Sequence, residues 1–249
     1  MGSEVKVEIV HKETIRPSSP TPHHLRFFSL SIFDQLSPEL YFPLLLFYPN
    51  NSDHHEVNNV DHQHSLDGER TKLLKRSLSE TLTRFYPFAG RILNNASVCY
   101  PCSFISRVLD KHDLELLKKL IPLGATKGDT GYDVLLVQIN FFECGGITIG
   151  FNASHKIIDA HTLSTFINSW AAIPLRFSTS DNIGVVVHQQ QYIAAASLFP
   201  PLDFFSSPPP IVEFAIEKCT TRRLLFESSK ISCLKSEAVS AAVQNPYPS

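Results

Sequence analysis

The sequence predicts an α/β fold. Runs of residues that alternate between apolar and polar, as strands do, are interleaved with runs whose apolar residues recur at helical spacing. The chain has 249 residues, of which 43% are hydrophobic. That length suits one large α/β domain or two smaller ones, and that apolar share is enough to fill a core.

The first 50 residues contain three predicted strands. Val5 to Ile15 largely alternates apolar and polar residues, which is typical of a strand. Two further strands are predicted at Leu25 to Leu30 and at Tyr41 to Tyr48. Prolines end the first strand because they lack the N–H that regular pairing needs; they are Pro17, Pro20 and Pro22.

A loop and a long helix are predicted next. The stretch Asn50 to Ser65 is polar and poor in apolar residues, so we predict a loop there. A shorter helix is predicted further on, at His112 to Leu120. The long helix is predicted between the polar stretch and the shorter helix, because apolar residues recur there at helical spacing until Pro87 ends the element. These residues are Leu74, Leu78, Leu82 and Phe85.

The middle of the chain predicts a hairpin at the centre of a sheet. Tyr132 to Phe142 is mostly apolar, which suits a strand covered on both faces. A tight turn at Cys144 to Gly146 leads into Ile147, Ile149 and Phe151, whose spacing of two predicts the partner strand. A further helix is predicted after the hairpin, because helical spacing returns in Leu163, Phe166, Ile167 and Trp170.

Prolines become frequent after Trp170 and predict a long irregular connection. Beyond it, a strand is predicted at Thr221 to Phe226 and a helix at Ser228 to Ala242, which is too little material for a second core. The final residues, Asn245 to Ser249, show no clear end to the fold, so we expect a fragment or a truncated product. The expected organisation is a first domain, a linker and the start of a second domain, over residues 1–175, 176–218 and 219–249.

The composition argues against several classes of protein. The 22 basic and 24 acidic residues give a net charge of −2, which lacks the basic footprint of nucleic-acid-binding proteins. The N-terminus has no apolar run that fits a signal peptide, and no stretch reaches membrane-spanning length. Five cysteines at irregular spacing do not form a disulfide framework. We therefore expect a cytoplasmic protein that binds neither nucleic acid nor membrane.

Two groups of potential metal ligands are weak. Cys99 and Cys102 form one C-x-x-C pair, with no second pair and no nearby histidine ligand, so a zinc or redox site is not favoured. A histidine-rich tract in the polar stretch lacks a scaffold that would fix its geometry; its members are His54, His55, His62 and His64. We expect no metal site.

His155 is the strongest candidate for a chemical role. The alternation of Ile147, Ile149, Phe151 and Ala153 continues to His155, so its ring is expected at the rim of the strand, beside a cleft. An imidazole there can take and return a proton near neutral pH. Asp159 precedes the next helix, and two interpretations of it stay open: it orients His155, as the acid of a triad does, or it only caps the helix.

The motif Ser154 to Asp159, SHKIID, resembles the His-x-x-x-Asp signature of the BAHD acyltransferases, and other segments agree with that family in order and spacing. The resemblance covers almost the whole chain but only the N-terminal half of a family member, and it is strongest to the vinorine synthase-like branch. The agreeing segments are Ser19 to Arg26, Leu30 to Pro38, Tyr86 to Arg91 (YPFAGR), Val137 to Gly150, Leu198 to Pro201 and Ser228 to Ala238.

The resemblance implies a chloramphenicol acetyltransferase-like fold, in which helices cover a mixed sheet, with only the start of a second similar domain. It implies that His155 is the general base and that Asp159 is structural. The reaction implied is transfer of an acyl group, acetyl in this branch, from acyl-CoA to the hydroxyl of a small-molecule alcohol. No permanently bound cofactor and no obligate protein partner are expected, and the protein is expected to be a monomer.

Three departures from the family pattern support an alternative, a catalytically inactive truncated remnant or pseudoenzyme. The family's second signature, Asp-Phe-Gly-Trp-Gly, is not in the sequence. The arginine that pairs with the aspartate in the family is missing after Asn245 and Pro246. The segment between Arg91 and Lys111 is shorter than in the family, so a strand of the sheet is expected to be lost or replaced.

Overall fold

The computed structural model forms two compact units, Met1–Ile211 and Val212–Ser249. The residues that it describes are 7–50, 60–94, 97–99, 103–109, 114–122, 131–142, 144–178, 195–202 and 226–244. In the first unit they form strands β1 (Val7–Glu13), β2 (Phe28–Ser29), β3 (Tyr41–Tyr48), β4 (Arg91–Asn94), β5 (Ser97–Cys99), β6 (Ser103–Leu109), β7 (Tyr132–Asp133), β8 (Leu135–Phe142) and β9 (Ile147–Ser154). The helices there are α1 (Ile32–Leu36), α2 (Val60–Arg84), α3 (Leu114–Lys119), α4 (Ala160–Ser178) and α5 (Ala195–Leu198).

The main sheet has five strands in the order β1-β6-β8-β9-β3. Its neighbours are antiparallel except for β6 and β8, which run parallel, so the predicted mixed sheet is confirmed. The predicted hairpin of β8 and β9 is also present, and Gly145 at its tip has φ of +77°, a conformation that favours glycine. A smaller sheet has the order β2-β5-β4-β7.

Both faces of the β8–β9 hairpin are buried, as expected for a central pair of strands. One face packs on α2 and α4, where Phe151 meets Trp170 edge to face at 6.0 Å between ring centroids. The indole N–H of Trp170 donates to Ser77 Oγ on α2, at 2.9 Å. The core on this side also contains Leu78, Leu82, Phe85, Phe88, Leu163 and Phe166.

The opposite face of the hairpin is polar and binds the chain that follows α3. Gln138, Asn140 and Asn152 donate to backbone carbonyls of the segment 119–122, at 2.8 to 3.3 Å. Gly150 lies against the same segment, and a Cβ there would overlap the carbonyl oxygen of Leu120. These contacts cover the second face of the sheet and hold β9 from both sides.

Several sequence predictions are wrong in detail. Helix α2 begins at Val60, inside the predicted loop of Asn50 to Ser65, of which 51–59 lie outside the described residues. The predicted strand at Leu25 to Leu30 is a 3₁₀ turn, His23–Leu25, followed by the two residues of β2. Helix α4 continues beyond Trp170 through Pro174, because Ile173 is fully buried and its packing offsets the backbone bond that proline removes.

The segment Arg91 to Lys111, where a strand of the sheet was expected to be lost or replaced, contains the three strands β4, β5 and β6. Strand β6 lies between β1 and β8 and pairs with both along its length. The predicted strand Tyr132 to Phe142 is divided at Val134, whose N–H donates to the Gly90 carbonyl at 3.0 Å. Its first part therefore joins the small sheet and its second part the main sheet.

The second unit contains helix α6 (Ser228–Gln244), which confirms the helix predicted at Ser228 to Ala242. Residues 226–240 expose their side chains. Residues 221–225 of the strand predicted just before the helix lie outside the described residues.

Candidate active site

The candidate site lies where strand β9 ends and helix α4 begins. The strand ends at Ser154, and a turn over His155 to Ile157 leads to the helix at Ala160. The turn forms because the N–H groups of Ile157 and Ile158 both donate to the Ser154 carbonyl, at 3.3 and 3.0 Å. Buried Ile158 then anchors the turn in the core.

His155 is exposed at this turn. The alternation of the sequence predicted that His155 continues the buried face of the strand, but the strand ends one residue earlier and the ring points out of the core. Its backbone N–H donates to the Leu40 carbonyl at 2.8 Å, just before β3. The imidazole packs edge to face on Phe42, with 5.4 Å between ring centroids. Within the described part of the chain, no side chain hydrogen bonds to the ring.

Asp159 is the N-cap of α4. Its Oδ1 accepts the backbone N–H of Thr162 at 2.6 Å, and its carbonyl accepts the N–H of Leu163 at 2.9 Å. Hydrogen bonds from the side chain and the backbone N–H of Thr162 hold the pKa of the Asp159 carboxyl below its usual value. Among the described residues, no hydrogen bond joins Asp159 to His155. The geometry therefore favours helix capping over orientation of the imidazole.

Lys156 is a charged residue that the sequence analysis missed. Only 1% of its side chain is exposed, although it follows exposed His155 directly. Its Nζ donates to the Ser37 carbonyl at 3.0 Å and to the Gln35 carbonyl at 3.4 Å, and it lies 4.0 Å from a carboxylate oxygen of Glu39. Lysine is almost never fully buried, so the residue type itself does not indicate burial. The one signal for its burial in the sequence is its spacing of two from apolar Ile158.

A small pocket of about 100 Å³ lies beside this turn. Tyr41 closes part of it and donates its hydroxyl to the Asp133 carbonyl at 2.5 Å. Burial raises the pKa of Tyr41, so its hydroxyl stays a donor at neutral pH. The pocket is lined by Glu39, Tyr41, Ile92, Tyr132, Ser154 and Lys156.

A larger cavity of about 310 Å³ lies at the other end of β9, between the sheet and the helices α2 and α4. Its one ionisable side chain is Tyr48, and the cavity offers no acid or base suited to neutral pH. Its lining is otherwise apolar: Leu46, Leu74, Ile147, Ile149, Phe151, Ile167, Trp170, Ala171 and Pro174. The candidate active site is therefore at the His155 end of the strand.

The potential metal ligands discounted from the sequence cannot be compared with this site. The side chains of Cys99 and Cys102 lie outside the described residues, and so do those of the histidine-rich tract, His54, His55, His62 and His64. Among the side chains that are described, no three His, Cys, Asp or Glu residues cluster in a way that would hold a metal ion. No helix in the described part of the chain is both long and apolar enough to cross a membrane.

Comparison with known proteins shows which proteins this chain resembles. Residues 5–247 match the model of a family described as the Transferase family. Salutaridinol 7-O-acetyltransferase of Papaver somniferum is 35% identical over 272 residues, covering 98% of this chain and 55% of that protein. Vinorine synthase of Rauvolfia serpentina is 35% identical over 258 residues, covering 97% of this chain and 57% of that protein.

The crystal structure of vinorine synthase has a similar fold. It superposes with a TM-score of 0.69 at 33% identity, covering 94% of this chain and 56% of that one. The chain thus spans about half the length of the curated relatives it matches.

Proposed function

The chain belongs to the transferase family of the BAHD acyltransferases, and from that premise we propose that it transfers an acyl group from an acyl-CoA thioester to a hydroxyl of a plant secondary metabolite. The observation that carries this proposal is the exposed imidazole of His155, fixed at the end of β9 by its own backbone N–H. A base on a rigid element at the rim of a sheet suits proton transfer to and from a bound substrate.

In the proposed reaction, His155 takes the proton of the acceptor hydroxyl as the oxygen attacks the thioester carbonyl. The tetrahedral intermediate then collapses, the carbon–sulfur bond breaks, and the thiolate of coenzyme A leaves. The imidazolium returns its proton to that thiolate, so His155 ends the cycle neutral. General-base help of this kind contributes about 10²- to 10⁴-fold to a rate.

Asp159 has a structural role in this proposal. Its carboxylate caps α4 and so fixes the point at which the turn of His155 meets the helix. No resident cofactor takes part in the steps above, and acyl-CoA is a co-substrate that leaves after each cycle.

The acyl group is proposed to be acetyl, because several relatives carry the name acetyltransferase. The acceptor is proposed to be a small-molecule alcohol for the same reason, since those names specify O-acetyl transfer. We further propose that the protein acts as a cytoplasmic monomer, without a nucleic-acid, membrane or obligate protein partner.

The test is thiol release from acetyl-CoA by the purified chain with a panel of alcohols. His155→Ala should lower the rate by about 10²- to 10⁴-fold, because the base is removed. His161→Ala is the matched control, since His161 is an exposed histidine in the first turn of α4 that has no part in the mechanism. Equal rates in the wild type and His155→Ala would refute the proposed catalytic role.

A second candidate is a catalytically inactive truncated remnant or pseudoenzyme of the same family. This alternative predicts thiol release no faster than in buffer for every acceptor, even when calorimetry shows that acetyl-CoA binds.

A further inference from the structure

We propose that Lys156 is a positioning residue, which holds the His155 imidazole in its place by fixing the segment from Gln35 to Phe42 against the turn at the end of β9. The inference rests on the proposed function for the role of His155. It concerns a different side chain, however, and its test includes a measurement that does not depend on catalysis.

The first support is the burial of a charged group. With 1% of its side chain exposed, Lys156 has lost nearly all contact with water. An ammonium in such a place is strongly destabilising unless hydrogen bonds and opposite charge replace its hydration. Desolvation accordingly lowers the pKa of Lys156, and the nearby carboxylates of Glu39 and Asp34 oppose that shift. A lysine in this position is therefore held by specific contacts.

The second support is the identity of those contacts. The carbonyls of Gln35 and Ser37 lie at the C-terminal end of α1, where the last carbonyls of a helix have no partner within it. The ammonium provides donors to these acceptors. At its other end, α1 is fixed by a capping box between Ser31 and Asp34. The short helix is also held by hydrogen bonds of Gln35 with Leu202 and of Ile32 with Phe199, and Lys156 binds the carbonyls at its C-terminal end.

The third support is where the held segment leads. Directly after Ser37 and Glu39 come Leu40, whose carbonyl accepts the N–H of His155, and Phe42, whose ring packs on the imidazole. The backbone and the ring of His155 thus rest on residues that follow the two anchored carbonyls by three to seven positions in the chain. Phe42 is also held by its pairing with Ala153, so loss of the anchor should act through Leu40 and shift the imidazole relative to the Phe42 ring, while the sheet stays folded.

The experiment compares Lys156→Met and Lys156→Arg with the wild type. Lys72→Met is the matched control, because Lys72 is 75% exposed on α2. The main measurement is the NMR signal of the His155 Cε1–H, assigned by its loss in His155→Ala, whose shift reports the ring current of Phe42. In Lys156→Met this shift should move toward its value in Phe42→Leu, while the signal of His161 stays in place. Lys156→Arg, which keeps a cationic donor, should restore part of the shift.

The second measurement is the acyl-transfer rate. Displacement of the base by about 1 Å can cost about 100-fold, so kcat of Lys156→Met should fall by about 10- to 100-fold with KM for acetyl-CoA unchanged. If the wild type releases no thiol, the proposed function fails, and the NMR measurement still decides the role of Lys156. A folded Lys156→Met that keeps the wild-type His155 shift would overturn the inference, whatever the rate.

If Lys156→Met does not fold, the wild type provides the test. Burial lowers the pKa of Lys156, so its amine loses its charge and one of its donors at a lower pH than an ordinary lysine. The His155 signal should then show a step that coincides with the titration of the Lys156 amine, followed directly in the same sample. A His155 signal that stays constant through that titration would overturn the inference. The titratable groups facing the amine are Asp34, Glu39, Tyr41 and Tyr132.

Discussion

Replacing Asp159 separates its two possible roles, because capping and orientation of His155 make different demands on the side chain. A cap needs only an acceptor at the start of α4, which asparagine also supplies. Orientation of an imidazolium needs the negative charge. Asp159→Asn and Asp159→Ala therefore give different results under the two interpretations.

The magnitudes follow from the contacts of the carboxylate. Its Oδ1 accepts the N–H of Thr162, and loss of such a cap costs about 0.5–2 kcal/mol of unfolding free energy. Its charge at the helix N-terminus adds about 0.3–1 kcal/mol. Asp159→Ala loses both and should be destabilised by about 1–3 kcal/mol, whereas Asp159→Asn should lose only the charge contribution. For a domain of this size, 1 kcal/mol lowers Tm by about 2–4 °C.

The assay is thermal and urea unfolding followed by circular dichroism, repeated at decreasing pH. The folded-state pKa of Asp159 lies below its usual value of 3.8, so its contribution to stability is complete above that value. It is lost as pH falls through the folded-state pKa, because the native carboxylate must then bind a proton. The difference between the wild type and Asp159→Asn should therefore shrink in that acidic range.

Two results would refute the capping argument. One is Asp159→Ala with the stability of the wild type, which would mean that the bond to Thr162 contributes nothing. The other is an Asp159→Asn variant that keeps its stability but loses acyl transfer as completely as His155→Ala. That result would mean that the negative charge of Asp159 serves to orient the imidazole.

Two further substitutions and one control substitution test the packing around the site. Gly150→Ala should lower the free energy of unfolding by about 1–3 kcal/mol, because the added Cβ would overlap the Leu120 carbonyl. Gly68→Ala on α2 is the control: a Cβ there meets nothing, so the substitution should stabilise the protein by about 0.5–1 kcal/mol. Equal effects at the two sites in urea titrations would contradict this reasoning. Tyr41→Phe should cost about 1–3 kcal/mol by leaving the Asp133 carbonyl short of a donor, and an unchanged Tm would show that water replaces the bond.

The sequence predicts best those elements that the residue types within a short stretch specify. Tyr41 to Tyr48 forms β3 with the predicted bounds, and the hairpin turn at Cys144 to Gly146 is where the glycines indicate it. Both follow from local rules, namely a continuous apolar run for the strand and, for the turn, the φ that Gly145 adopts.

The errors arise where backbone pairing or exposure decides the structure. The first turns of α2, from Val60, lie in a polar stretch whose sequence carries no apolar stripe. Strand β6 is placed by ladders to two neighbours, and backbone ladders leave little trace in the sequence of Ser103–Leu109. Val134 ends one strand segment because its N–H bonds to Gly90, a contact between residues distant in the chain.

The candidate site likewise contains residues that local sequence features indicate and one residue that they do not. His155 and Asp159 were found from a motif and from their position before a helix. Lys156 was missed because its role depends on carbonyls of Gln35 and Ser37, more than a hundred positions away in the chain. A residue type that is almost always exposed gives no sign in the sequence that a distant segment has covered it.

The pairing of β3 with β9 has a consequence for synthesis. Tyr41 pairs with Ser154, so the earlier strand leaves the ribosome long before its partner exists. At about 5–20 residues per second, the roughly hundred intervening residues take about 5–20 s to be made. Over that interval Leu44 and Leu46, which later pack on the core, have no partner strand beside them. The nascent chain therefore passes through a period of seconds in which aggregation competes with completion of the sheet.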